Sequence, residues 1–269
     1  MGRVIKLLLY YFAYQLAVYG TFVGAYMLAH GAMEMPDPSD SSYITFLLGV
    51  QVVSNLAFGV HLLAGRYVKL DKTTWSYYNS GKILGVALVF IVGMGLWNNY
   101  LSELVDLPNS MQDFFEEMMV HPLGILATVV MAPIVEELFF RGAIQGHLMR
   151  KWRNPVWAIF VSSLIFGGIH ANPAQIPFAF TVGLALGWMY YVTGSLVPGI
   201  FMHFINNGTA VLTFLLTKDP EAGMIDIFGN GGALFLAALG MVVTIFCVRI
   251  IYKQMLLHPV EWKSGDECI

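Results

Sequence analysis

Three short polar patches set in apolar stretches hold the side chains that could do chemistry: Glu136-Glu137-Leu138-Phe139-Phe140-Arg141, Phe166-Gly167-Gly168-Ile169-His170 and His203-Phe204-Ile205-Asn206-Asn207. An ionisable side chain at the centre of a membrane helix costs roughly 2.5–3.5 kcal/mol on insertion scales, so a cluster of them marks a functional site by default. Residues four apart share a helix face. Glu137 and Arg141 can therefore pair, while Glu136 sits about 100° around the axis and points elsewhere. One guanidinium neutralises one carboxylate, and two neighbouring carboxylates in low dielectric cannot both ionise cheaply. That leaves Glu136 as the carboxylate free to exchange a proton. A general base that deprotonates water and later returns the proton to a leaving group needs that freedom. A purely structural ion pair accounts for Glu137 and Arg141 but leaves Glu136 unexplained.

The other two patches supply partners. If the helix carrying Glu136 runs on to Arg150 and turns near Arg153, Glu136 lies 17 residues before the turn and His170 lies 17 after it. An antiparallel hairpin then sets the two at matching height. Taken alone, a histidine on an apolar face is more often a core residue than a catalyst. The shared register favours the catalyst. Gly167 and Gly168 remove bulk beside His170 and would admit a neighbouring helix or a substrate backbone. His203 and Asn207 again share a face, with Asn206 turned toward another neighbour. An imidazole N–H and a carboxamide N–H converging from one side suit an oxyanion in a low-dielectric cleft. They could equally be interhelical hydrogen-bond partners. His203 lies only about 10 Å into its helix, so tilt, a kink at Pro198 or a partly cytoplasmic start to the neighbouring helices is needed to align all three patches.

These side chains must be positioned by membrane helices. Of 269 residues, 57% are hydrophobic and 12% charged, against about 25% charged in a soluble domain. Apolar runs of about the 20 residues needed to span a bilayer fall near 7–29, 43–65, 83–101, 123–148, 156–171, 176–192, 197–216 and 233–252. The expected fold is all-α: a polytopic membrane bundle of about eight helices, forming one integral-membrane domain over 1–269. The fifth run is short and is split from the sixth by Asn172-Pro173-Ala174-Gln175, so these two could form a broken or tilted pair. No internal repeat is visible, and the connection 102–117 is too short to fold alone.

Orientation follows the Lys/Arg bias. Arg3 and Lys6; Arg66, Lys69, Lys72 and Lys82; Arg150, Lys151 and Arg153; and Arg249, Lys253 and Lys263 fall on one side. The alternate connections hold only Lys218 and are acidic: Glu34, Asp37 and Asp40; Glu103, Asp106, Asp113, Glu116 and Glu117; then Asp219, Glu221 and Asp226. Both termini are expected in the cytoplasm, which requires an even helix count. The first run reads as a first helix and not a cleaved signal, and Cys268, the penultimate residue, makes no prenylation box. Two cysteines, Cys247 and Cys268, give no disulfide framework. The expected location is the cell membrane, as a multi-pass protein, the inner membrane in a bacterium, with lipid as partner and no nucleic acid.

Glu-Glu-x-x-x-Arg, Phe-x-x-x-His and His-x-x-x-Asn, in that order on successive membrane helices, resemble the CAAX protease and bacteriocin-processing (Abi) family of intramembrane proteases, which includes the prenyl-protein endoprotease Rce1. The resemblance covers about 130–213, the expected protease core, and says little about the first three helices. It implies a bundle of about eight helices with a cavity open to cytoplasm and lipid. It further implies an endopeptidase in which Glu136 and His170 activate water, His203 and Asn207 stabilise the oxyanion, and Glu137 and Arg141 give support. Membrane-anchored or lipidated proteins or peptides are the implied substrates.

The family is often described as metalloproteases, and Glu136, His170 and His203 could make a His₂Glu zinc site with an open fourth position. No His-Glu-x-x-His helix is present, and a Glu–His pair can activate water unaided, so no metal is favoured. His30, His61, His121, His147 and His258 have no partner motif and read as incidental. Two other classes compete. A proton-coupled transporter would also place Glu, Arg and His in helices but would usually show inverted repeats; a non-catalytic immunity or scaffold protein would tolerate loss of the acid or the histidine, and this chain keeps both.

Overall fold

The computed structural model describes residues 1–30, 42–68, 80–105, 107–219, 222–257, 260 and 262. Among them every regular element is helical: α1 Gly2–His30, α2 Tyr43–Ala64, α3 Ser80–Glu103, α4 Gln112–Val120, α5 Pro122–Trp152, α6 Pro155–Gly168, α7 Ile176–Thr193, α8 Val197–Thr217 and α9 Met224–Leu257. All eight apolar runs appear as helices. Seven are long and apolar enough to cross a membrane, and α6, the short fifth run, has 14 residues, or about 21 Å by helical rise. The protein is a multi-pass helical bundle with large apolar side chains turned outward, among them Leu16, Leu28, Val156, Leu216 and Phe235, as a lipid-facing surface requires. The connection 102–117, too short to fold alone, contains most of α4, which packs against α2 and α8. Lys69, Lys72, Glu34, Asp37, Asp40, Asp106, Glu221 and Lys263, on which orientation partly rests, lie outside the described residues, as do His258 and Cys268.

Two cores flank the interior. One joins α1, α2, α5 and α6 through Leu7, Phe58, Phe139, Phe140 and Phe166. The other joins α3, α7, α8 and α9 through Phe90, Met94, Leu186, Met189, Met202 and Cys247. α5 is not a uniform α-helix: Leu126–Met131 and Glu137–Gln145 are π-helical. Pro133 has no N–H to give the residue four before it, and the widened turns lie on either side of it. Such widening is frequent at functional sites.

The α5–α6 turn is built as the register requires. α5 stops at Arg153 in the left-handed region (φ 52°), Asn154 accepts the Trp157 N–H at 3.2 Å, and Pro155 opens α6. The hairpin is then fixed by Ser162 Oγ donating to the Phe140 carbonyl at 3.0 Å and by the Phe140 and Phe166 rings at 5.0 Å. Phe140 is four residues after Glu136 and Phe166 four before His170, so Glu136 and His170 do lie at matching height.

The two glycines before His170 differ. A Cβ at Gly167 would stand 2.9 Å from the Ile176 carbonyl and 3.1 Å from the Phe180 Cβ, whereas a Cβ at Gly168 meets nothing within 4 Å. Only Gly167 admits the neighbouring helix, α7. Gly167→Ala should lower stability by roughly 1–3 kcal/mol, the usual effect of overpacking. Gly168→Ala should stay within about 0.5 kcal/mol of the parent, as surface changes do. Thermal melts of the two variants in one detergent test the contrast.

Candidate active site

A cleft of about 1020 Å³ lies between the two cores, and Glu136, His170, His203, Asn206 and Asn207 all line it. Beside it, Glu137 and Arg141 are buried, at 0% and 1% exposure, and form an ion pair of 2.8 Å. Arg141 Nη2 donates to the Gly183 carbonyl at 3.2 Å, and its guanidinium stacks 4.5 Å from the Phe166 ring centre. One turn on, the buried Gln145 donates to the Gly187 carbonyl at 2.7 Å. Two polar side chains four apart on α5 thus bind two glycine carbonyls four apart on α7. Gly183 and Gly187 keep α7 close, since a Cβ at Gly183 would come within 3.1 Å of Ser163. Gln145 escaped the sequence reading, although Gly-x-x-x-Gly in α7 is the mark of a close helix pair.

His203 sits between the two glutamates. Its Nδ1 is 3.2 Å from Glu137 Oε1 and its Nε2 is 3.8 Å from Glu136 Oε2. That contact places His203 at the depth of Glu137. Gly199, one turn earlier, leaves the space that Glu137 Oε2 occupies, since a Cβ there would lie 2.9 Å away. The Glu137 carboxylate can only accept, so Nδ1 of His203 carries the hydrogen. His170 is fixed likewise, with Nδ1 donating to the Phe166 carbonyl at 2.7 Å. In a neutral ring this leaves Nε2 with its lone pair. Glu136 is part-exposed to the cleft, at 25% of its side chain, and its ion-pair contact is with His203 and not with His170.

Asn207 donates one N–H to the Thr128 carbonyl at 2.9 Å and accepts from Asn206 at 3.2 Å, keeping its second N–H. Asn206, expected to turn away, instead braces Asn207 at the cleft. Past His170 the chain turns through Ala171 (φ 53°), and the buried Asn172 donates to Asn109 Oδ1 at 2.8 Å and accepts from the Ser110 N–H at 3.3 Å. This ties the segment before α4 to the His170 turn. The cleft lining extends to residues 109–115 and to Met118 and Met119, in the acidic connection. The resemblance implied an opening toward the cytoplasm, but this lining lies on the side opposite the Arg/Lys-rich connections.

Of the histidines read as incidental, His121 caps α5 by accepting the Leu123 N–H at 3.2 Å and lies 3.1 Å from the Thr45 hydroxyl, and His61 packs among Tyr10, Tyr14 and Tyr67.

Residues 119–209 match the family described as type II CAAX prenyl endopeptidase Rce1-like. The similarity is confined to this segment. The chain is also 33% identical over 106 residues to the membrane-embedded CAAX protease MroQ of Staphylococcus aureus (strain USA300), covering 38% of this chain and 42% of MroQ. It is 33% identical over 91 residues to YdiL of Bacillus subtilis (strain 168), covering 34% of this chain and 37% of YdiL. A longer match, 27% over 205 residues, covers 71% of this chain and 67% of YyaK of the same organism, whose name assigns no function. The first two matches thus span about two fifths of those relatives' length. No solved structure matches significantly. The matched segment runs from the end of α4 into α8 and contains every residue of the three polar patches.

The metal alternative can be weighed on the donor geometry. Among the described residues no three of His, Cys, Asp and Glu are gathered closely enough to hold a metal ion. His170 and His203 are both held through Nδ1, so only Nε2 of each ring, with the Glu136 carboxylate, could reach a metal, and these three are not gathered closely enough for a His₂Glu set.

Glu137 neutralises a fully buried guanidinium and Glu136 does not, so the two should differ in stability. Glu137→Gln should cost roughly 3–5 kcal/mol, the scale for breaking a buried pair, and lower both yield and melting temperature. Glu136→Gln should leave both close to the parent. The opposite order would assign the structural role to Glu136.

Proposed function

We propose that the chain is an intramembrane endopeptidase that cleaves membrane-anchored or lipidated proteins or peptides, with water activated by Glu136 and His170. The observation that carries this reading is the convergence of Glu136, His170, His203 and Asn207 on one cleft, in a segment that matches the Rce1-like family. Water held between the Glu136 carboxylate and the His170 Nε2 lone pair loses a proton to Glu136 as its oxygen attacks the scissile carbonyl. The carbonyl oxygen gains the charge and is met by the second N–H of Asn207 and by Nε2 of His203. Nε2 can donate only when both ring nitrogens are protonated, and the oxyanion is the counter-charge of that form once Glu136 has taken the proton. Glu136 then returns its proton to the departing amine as the C–N bond breaks. Arg141 holds Glu137, Glu137 orients His203, and no transition metal takes part.

Purified protein in detergent, incubated with candidate lipopeptides, should lose at least a hundredfold in cleavage rate on Glu136→Ala or His170→Ala, the general scale of acid–base contributions. Exhaustive chelation should leave most activity, and elemental analysis should find well below one metal per chain. Equal cleavage by parent and both variants rejects the assignment. Activity lost on chelation and restored by stoichiometric zinc rejects the metal-free reaction.

In this reading substrate enters from the side of the acidic connection, which the Lys/Arg bias predicts to lie outside the cell, with both termini in the cytoplasm. In a Cys247→Ser, Cys268→Ser background, Ser110→Cys should react with a membrane-impermeant maleimide in intact cells and Lys151→Cys only after permeabilisation. The reverse pattern would put the cleft mouth in the cytoplasm.

A further inference from the structure

One wall of the cleft plays no part in the reaction described above. α2 contributes Gln51 and Asn55, four residues apart and so on one helix face, and both line the cleft. Asn55 is more than nine-tenths buried. Neither carboxamide has a hydrogen-bond partner among the described residues, although nearby Ser54 donates to the Val50 carbonyl at 2.7 Å. A buried carboxamide without a partner costs free energy, more so where lipid replaces water. Ones aimed into a cleft are explained if something in the cleft binds them.

Their position selects the occupant. One turn beyond Asn55, the Phe58 ring meets Phe139 at 4.9 Å and Gly59 faces Val135, so α2 packs beside Glu136 and Asn55 sits within one turn of that level. Gln51 and Asn55 are separated by about 6 Å of helical rise. An extended peptide presents its N–H and C=O groups to one side at every second residue, about 6.6–6.8 Å apart. Each carboxamide offers both a donor and an acceptor, the complement of one residue's main-chain pair. A membrane-embedded segment must leave the helix before its peptide bond can be attacked, and that frees main-chain groups which hydrocarbon cannot satisfy.

We propose that Gln51 and Asn55 form a main-chain binding strip that holds an extended substrate segment alongside Glu136, independent of its side chains. This rests on the endopeptidase reading and assigns α2 the role of positioning the substrate. The water activated by Glu136 attacks from one wall, and the strip holds the two residues beside the scissile bond from another.

The test uses a pool of palmitoylated dodecapeptides carrying a fluorophore and quencher, with the full-length protein in detergent. On the best-cleaved peptide, Gln51→Met/Asn55→Leu should raise KM about tenfold, as loss of two hydrogen bonds implies, with kcat within twofold and no fall in melting temperature. Replacing one backbone amide beside the scissile bond by an ester should weaken the parent but add little in the double variant, because the partner is already gone. In a Glu136→Gln background, anisotropy should show the same loss of binding without cleavage. Unchanged KM and binding, additive ester and side-chain effects, or no binding of any peptide in the pool would each overturn the strip. Binding that depends on Gln51 and Asn55 with no cleavage by any form would keep the strip and reject the endopeptidase.

Discussion

The ion pair between Glu137 and Arg141 is the constraint on which the rest of the interior depends. Both ends are withdrawn from water, and a charge so placed persists only when paired and hydrogen-bonded. Arg141 therefore recruits a second helix through the Gly183 carbonyl and a third through the face of Phe166. Glu137 recruits a fourth through His203. One pair thus fixes α5, α6, α7 and α8 against each other at a common depth. The glycines at 167, 183 and 199 follow from it, because helices that share buried hydrogen bonds must approach closely.

That framework leaves Glu136 in a different environment from its neighbour. A step of one residue moves the side chain from the ion pair to the cleft, from complete burial to partial exposure. The chemistry proposed for the pair follows from this division: the inner carboxylate carries a permanent counter-charge and the outer one meets solvent and substrate. The imidazoles are held by acceptors on their Nδ1 atoms, which orients Nε2 of each toward the space where a substrate carbonyl would sit.

The cleft belongs neither to one core nor to the other. Glu136, His170, His203 and Asn207 line it, and its mouth is framed by α4 and by the Asn172–Asn109 bond that fastens the segment before α4 to the turn after α6. A polar cavity inside a membrane bundle is costly unless its groups are paired or await a ligand. The α2 carboxamides are the clearest instance of groups that await one.

Read alone, the residues determined the helical class, the places of the eight apolar runs and the height match of Glu136 with His170, because composition, span length and helical spacing are local properties. They also determined that Glu137, not Glu136, pairs with Arg141. Only the tertiary structure decided that His203 lies between both glutamates, that Asn206 braces Asn207, and that Gln145, Asn172, Gln51 and Asn55 take part in the site or its frame. Each of those depends on which helices become neighbours, and neutral amides carry no signal in sequence until a partner or a cavity is placed beside them. The side on which the cleft lies was likewise invisible: it is set by where α4 folds back over the bundle, and α4 is too short and too polar to announce itself in a hydropathy pattern.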